Sequence, residues 1–297
     1  MKTAVLFACF FSFLGMSSLA AARSLEDAQV VQALPTGDFS VGIGSILKVD
    51  SKPQILLGEL VNHDGTWNSL MVLDPSSATV SYVQATQSPT PPQGLQTVLK
   101  LYPQQGGTCT GYALDDYLLQ LNLSGFTGSG DLAKDVSTEE GRTGLLADAI
   151  NQYYLVLQHR FSILGIMNSY GKKYGFSCTK KTFDDLAKAQ DYVKTAAQTG
   201  SPVLISFNVG MDMTNGPFKL QKSDSKDAED IRLWLPRRVG ERNGGGHSVV
   251  AVGGFSVNQN DYLVMLDSDW DLPRVWDLHE ALSDRTAIDE VEFYTCH

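Results

Sequence analysis

After its leading apolar run, the first third of the chain carries short apolar segments of strand length, alternating with polar positions at 39–44 and forming a compact apolar run at 54–60. Residues 39–44, 54–60, 69–73 and 79–83 read as short strands, with His63-Asp64-Gly65 and Asp74-Pro75-Ser76-Ser77 as turns between them. The polar, proline-rich stretch 86–94 then reads as a linker. From about residue 95 the period lengthens. Ala113, Tyr117, Leu118 and Leu121 share a helical spacing that predicts a helix over 109–121. Ser137-Thr138-Glu139-Glu140 carries capping-box chemistry ahead of a second helix, with Leu146, Ile150, Tyr153, Tyr154 and Leu157 on one side. A third helix is expected from an N-cap at Thr182 to Gln198, with Gly200 as its stop. The strand period then returns at 203–207, 248–252, 262–266 and 291–294. Helices followed by strands is an α+β order, not the alternation of a doubly wound sheet.

Composition changes this picture in two places. With 23 Lys+Arg against 33 Asp+Glu the formal net charge is −10, and no basic run is longer than Lys180-Lys181 or Arg237-Arg238. A field of that sign disfavours nucleic acid and anionic membrane surfaces as partners. Lys2, the apolar run 4–14 and Ala20-Ala21-Ala22 together read as a signal peptide over residues 1–22, with an uncleaved anchor as the alternative. The expected product is a secreted or periplasmic protein with no membrane contact after signal removal. Residues 23–94 then form a β-rich N-terminal domain or a pro-region, and residues 95–297 form the second part.

Export also changes the cysteine arithmetic. Of four cysteines, Cys9 leaves with the signal, and three is an odd number for an oxidising compartment. Cys109 follows a glycine pair and opens a helical pattern. That leaves Cys178 and Cys296, in loop and terminal-strand contexts, as the candidate disulfide.

Cys109 is the first residue with candidate chemistry. At a helix N-terminus, backbone N–H groups and the positive end of the helix dipole favour a thiolate. The same N–H groups can receive an oxyanion, with a glutamine shortly upstream, Gln104 or Gln105, as second donor. A base is also needed. His63, His159, His279 and His297 sit in a turn, in helical patterns and at the last position; His247 opens a strongly apolar strand behind Gly244-Gly245-Gly246. The next strand ends in Asp267-Ser268-Asp269-Trp270. If the two strands are antiparallel neighbours, Asp267, or Asp269 in competition, can orient the imidazole.

The order Cys109, His247, Asp267, separated by 138 and 20 positions, resembles the papain-like cysteine peptidases. C-T-G-Y-A-L-x-x-Y-L-L-x-L-N from Cys109 and G-G-H-S-V-V-A-V-G around His247 are similar to secreted bacterial staphopain-type enzymes, and also to peptidase domains that trim leaders at double-glycine sites. The resemblance covers about residues 95–297. It implies a papain-like fold, with a helical part followed by an antiparallel β part, and a peptidase or amidase acting on a peptide or protein through a Cys109 thioester, without cofactor or metal. The chain departs from the family at three points. Asp267 stands where papain proper has Asn. Gln104 and Gln105 lie five and four residues before the cysteine, where the family's glutamine lies about six before. Thr108 and Thr110 flank Cys109 in place of a tryptophan, while Trp270 stands where the family's shielding tryptophan is expected. An acyl transferase on the same fold and a non-catalytic exported binding protein are the alternative readings.

Overall fold

In the computed structural model the described residues are 32–33, 45–63, 65–74, 76, 79–83, 97–126, 131–207, 211–215, 219–220, 232–236, 247–257, 260–269, 272–282 and 291–297. The signal-peptide reading, the strand expected at 39–44 and the linker at 86–94 fall outside them. No helix among the described residues is long and apolar enough to cross a membrane.

The first sheet is mainly antiparallel. Strands β1 (Gln32–Ala33), β2 (Ser45–Val49), β3 (Lys52–Val61), β4 (Trp67–Asp74) and β5 (Thr79–Val83) follow one another in chain order. The short β6 (Thr97–Leu99) then returns to lie parallel to β3. Period-two patterning splits the side chains between two cores. Leu47, Val49, Leu56, Leu70, Val72 and Val83 pack together on one face, while Ile55, Leu57, Val61, Met71, Leu73 and Val80 face the helices. Both faces are apolar, so this sheet has to be covered on the helical side.

Helices α1 (Cys109–Leu123), α2 (Asp131–Asp135), α3 (Glu139–Leu157) and α4 (Ile163–Tyr174) come next, then strand β7 (Cys178–Lys181) and helix α5 (Leu186–Gln198). The remaining elements are β8 (Val203–Phe207), β9 (Met211–Asn215), β10 (Lys219–Leu220), β11 (Arg232–Pro236), β12 (His247–Val257), β13 (Asn260–Leu266), β14 (Arg274–Asp277), α6 (Leu278–Ala281) and β15 (Val291–Cys296). Six of these strands form an antiparallel sheet in the order β14-β13-β12-β8-β15-β7. β9 pairs with β11, and β10 adds to β5. The molecule is α+β.

The second sheet is also apolar on both sides. Leu204, Val250, Val252, Val264 and Leu266 face α1 and the first sheet. Val203, Ile205, Val249, Ala251, Leu263 and Met265 face α5. Helix α1 therefore runs through the shared interior, and 13 of its residues, Cys109 through Leu121, are buried. Such a position buries the helix on every side, polar Thr110, Asp115, Asp116 and Gln120 included. At Gly111 a Cβ would stand 2.9 Å from the Ile150 Cα, so glycine sets how closely α1 and α3 approach.

Several local expectations are corrected. The third helix starts at Leu186 and not near Thr182, because residues 178–181 are drawn into β7 beside β15. Its N-cap is Asp185, whose carboxylate accepts from the Lys188 N–H at 3.1 Å. The capping box is only half formed: Thr138 accepts from Gly141, which has no side chain to reciprocate, and the Ser137 hydroxyl donates to the Lys134 carbonyl instead. On α3 the buried stripe is Arg142, Leu145 and Ala149, while Tyr154 and Leu157 are exposed. Helix α4 was not foreseen, although its Ser162 N-cap and its Gly175 C-cap at φ 82° carry ordinary start and stop signals.

Candidate active site

The approach to α1 is shaped by Gly106, whose φ of 65° is comfortable only for glycine. Thr108 is the N-cap residue, yet its hydroxyl donates to the Gln105 carbonyl at 2.7 Å and caps none of the helix N–H groups. No acidic side chain occupies the first turn. The positive end of the dipole is thus presented at Cys109 without a side-chain cap. Hydroxyls pin this end to the second sheet: Thr110 and Ser248 oxygens lie 2.9 Å apart, and Ser248 donates to Ser206 at 3.2 Å.

His247 is the first residue of β12, opposite Phe207 of β8. β12 and β13 are antiparallel neighbours with Val250 opposite Leu266, so Asp267 leaves β13 beside the imidazole. His247 Nε2 lies 2.9 Å from Asp267 Oδ1. The Cys109 side chain hydrogen-bonds the same ring. The three sequence-selected residues meet at one place, all buried, Asp267 completely.

Their electrostatics follow from that burial. Desolvation alone would push the Cys109 thiol up; the hydrogen bond and charge of His247, with help from the Ser248 backbone and Thr110, overcome it and lower the value. Burial likewise works against the imidazolium, but the Asp267 carboxylate, then Cys109, carry His247 up to about 10. Asp267 is lowered despite complete burial, because His247 and Arg274 both favour its charge. Two other carboxyls behave in the opposite way. Asp115 and Asp116 on α1 are pushed well above the carboxylate range by burial, and Asp116 is raised further by Asp115 and Asp267. Asp267 is therefore the buried carboxylate that stays ionised at the site.

Arg274 was missed by the sequence reading. It is 1% exposed and its Nη1 donates to Asp267 Oδ2 at 3.0 Å, so Asp267 stands between two cations. No linear spacing marks it; the pairing of β14 with β13 brings it there. Asp269, the competing carboxylate, is exposed and touches the set through its backbone N–H, 3.2 Å from Asp267 Oδ1. Donor atoms of His247, Asp267 and Asp269 lie within 4.8 Å of one another, close enough to consider a metal ion. Arg274 already supplies the cation at Asp267, which opposes a second one.

Gln104 and Gln105 separate clearly. Gln104 is held from the Asp267 side: its N–H donates to the Ser268 carbonyl at 2.6 Å, and the Ser268 hydroxyl donates to its Oε1 at 2.9 Å. Gln105 is exposed and contributes its carbonyl to Thr108. Ser268 is thus a second residue the sequence reading passed over. Trp270 lies outside the described residues. Cys178 and Cys296 form a disulfide between directly opposite positions of β7 and β15, and Cys109 is in no disulfide. The expected loop context of Cys178 is corrected to a strand, since pairing with the terminal strand is what brings the two Cα atoms to 4.0 Å.

The arrangement can generate a thiolate, hold a protonated base beside it, and present helix N–H groups without a side-chain cap at the residue that carries the sulfur. No protein-family model matches the chain, and no curated protein is significantly similar to it.

Proposed function

We propose that this chain is an exported cysteine peptidase or amidase of papain-like fold, cleaving peptide or amide bonds through a Cys109 thioester. The observation that supports this most directly is the convergence of Cys109, His247 and Asp267 from three separate elements, with the thiol at an uncapped helix N-terminus. In the proposed reaction the Cys109 thiolate attacks the carbonyl carbon, and the oxyanion is received by the first N–H groups of α1 and the Gln104 side chain. With Nε2 committed to Asp267, His247 passes the proton on its Nδ1 to the departing amine. Water, deprotonated by the same imidazole, then breaks the thioester and restores the thiol. Asp267 fixes the tautomer and stabilises the imidazolium, and Arg274 balances the Asp267 charge inside the protein.

Export is supported by the leading segment 1–22 together with the Cys178–Cys296 disulfide, which suits an oxidising compartment. Residues 23–94 are proposed as a permanent structural domain and not a pro-region, because Ile55, Leu57, Met71 and Val80 share one core with α1 and the second sheet. The test is digestion of a mixed peptide library by wild type and Cys109→Ala in parallel, read by mass spectrometry. New termini that depend on Cys109 are expected. Identical product lists from the two proteins would refute the proposal.

A further inference from the structure

We infer that a cavity at the seam between the first sheet and the helices binds a small organic carboxylate. The cavity has a volume of about 440 Å³, and its walls include Asn62, His63, Lys100, Tyr102, Glu139 and Arg142. That size falls within the usual range for small-molecule sites. It is remote from the candidate catalytic centre. Tyr153, which reaches Thr110 beside Cys109, is eleven residues further along α3 than Arg142, roughly 16 Å at helical rise. The adjoining cavity, which shares Asn62 and His63, is lined by Leu119, Asn122 and Leu123 from the opposite end of α1.

Arg142 selects the ligand class. Its side chain is 2% exposed, and its Nη1 donates to the Val136 carbonyl at 2.7 Å. Its Nε has no hydrogen-bond partner, and among the described residues no carboxylate pairs with Arg142 or Lys100. A buried guanidinium without a counter-charge is costly to maintain. Glu139 is on the same helix but at its first position, where the positive end of the dipole favours a carboxylate. Counting Lys100, Arg142 and Glu139, the walls carry one net positive charge, which matches a monoanion and leaves a dianion half compensated. A carboxylate at the cavity wall would supply the counter-charge that Arg142 lacks, and guanidinium–carboxylate pairing is a strong one. His63 and Tyr102 stack with ring centroids 3.7 Å apart and offer a flat wall for a planar or apolar body. Asn62 and His63 come from the β3–β4 turn, so the N-terminal sheet builds one side of this site.

The probe is benzoate, with benzamide as its neutral counterpart, titrated calorimetrically into the full chain after Cys109 has been blocked with iodoacetamide. Benzoate is expected to bind once per chain, and benzamide at least tenfold more weakly. Arg142→Gln and Lys100→Gln are each expected to weaken benzoate about tenfold, the scale of one charge-assisted hydrogen bond. If Arg142→Gln fails to fold because Val136 loses its donor, Lys100→Gln alone decides. Absence of benzoate binding, equal binding of benzamide, or unchanged binding in Lys100→Gln overturns the inference. Binding that disappears on blocking Cys109 would put benzoate in the catalytic cleft and overturn it as well.

Discussion

Asp267 accepts from two cations, which decides what can replace it. An asparagine keeps one carbonyl oxygen for His247 or for Arg274; its NH2 group then faces the other donor. If the chain acts as proposed, Asp267→Asn is therefore expected to lower kcat/KM by about 100-fold or more. Adding Arg274→Gln, whose amide oxygen can accept from the asparagine, is expected to recover roughly tenfold. A double variant no better than the single one would mean that the donor clash is not the cause. Ionisation is tested separately. Cys109 is lowered and His247 raised, so the thiolate–imidazolium form exists between the two values. Alkylation by iodoacetamide should be fast well below the ~8.5 of an ordinary thiol, and turnover should fall only as pH approaches about 10. His247→Ala should move the alkylation profile upward, and an unmoved profile rules out the pair. Stability follows the same signs. Asp267 is depressed, so its contribution is present above about pH 4 and lost as pH falls through its folded value. His247 is raised, so its contribution is full below about pH 6.5 and lost as pH rises through about 10.

At the scale of elements, the disulfide joins the first position of β7 to the last of β15, across a sequence separation of 118. Closing a loop of that size restrains the unfolded chain strongly. Replacing both Cys178 and Cys296 by serine is expected to cost about 2–4 kcal/mol, read as a lowered urea midpoint with an unchanged slope. The thiol chemistry of Cys109 should persist below the new midpoint, because the bridge lies at the edge of the sheet and Cys109 at the start of α1. The helices were legible in different degrees. α1 was visible from Ala113, Tyr117, Leu118 and Leu121, since those apolar positions recur at the helical period. The start of α5 was not, because residues 178–181 pair with a strand more than a hundred positions away, and no local pattern records that.

For the whole molecule the shared interior is decisive. β6 pairs with β3, Gln120 of α1 donates to the Thr97 carbonyl at 2.7 Å, and Tyr82 of β5 donates to the Pro273 carbonyl. Removing the first sheet would uncover the apolar face of α1 and leave β6 unpaired. Residues 95–297 expressed alone are expected to be insoluble or inactive. A soluble fragment more active than the full chain would instead make residues 23–94 an inhibitory pro-region.

The sequence by itself indicated the α+β order, the apolar strands, and Cys109 and His247 as candidate residues, because each rests on local periodicity or on a residue at the end of an element. It left Gln104 and Gln105 open, set Asp269 against Asp267, and gave no sign of Arg274. Those three were decided by tertiary structure alone. Ser268 picks out Gln104 from 164 positions away. The β12–β13 register puts Asp267 and not Asp269 against the ring. The β13–β14 pairing delivers Arg274 to the far oxygen of Asp267. Hydrogen bonds and ion pairs act over about 3 Å of space and are indifferent to distance along the chain, so only the folded arrangement of strands could choose between residues that are neighbours in sequence.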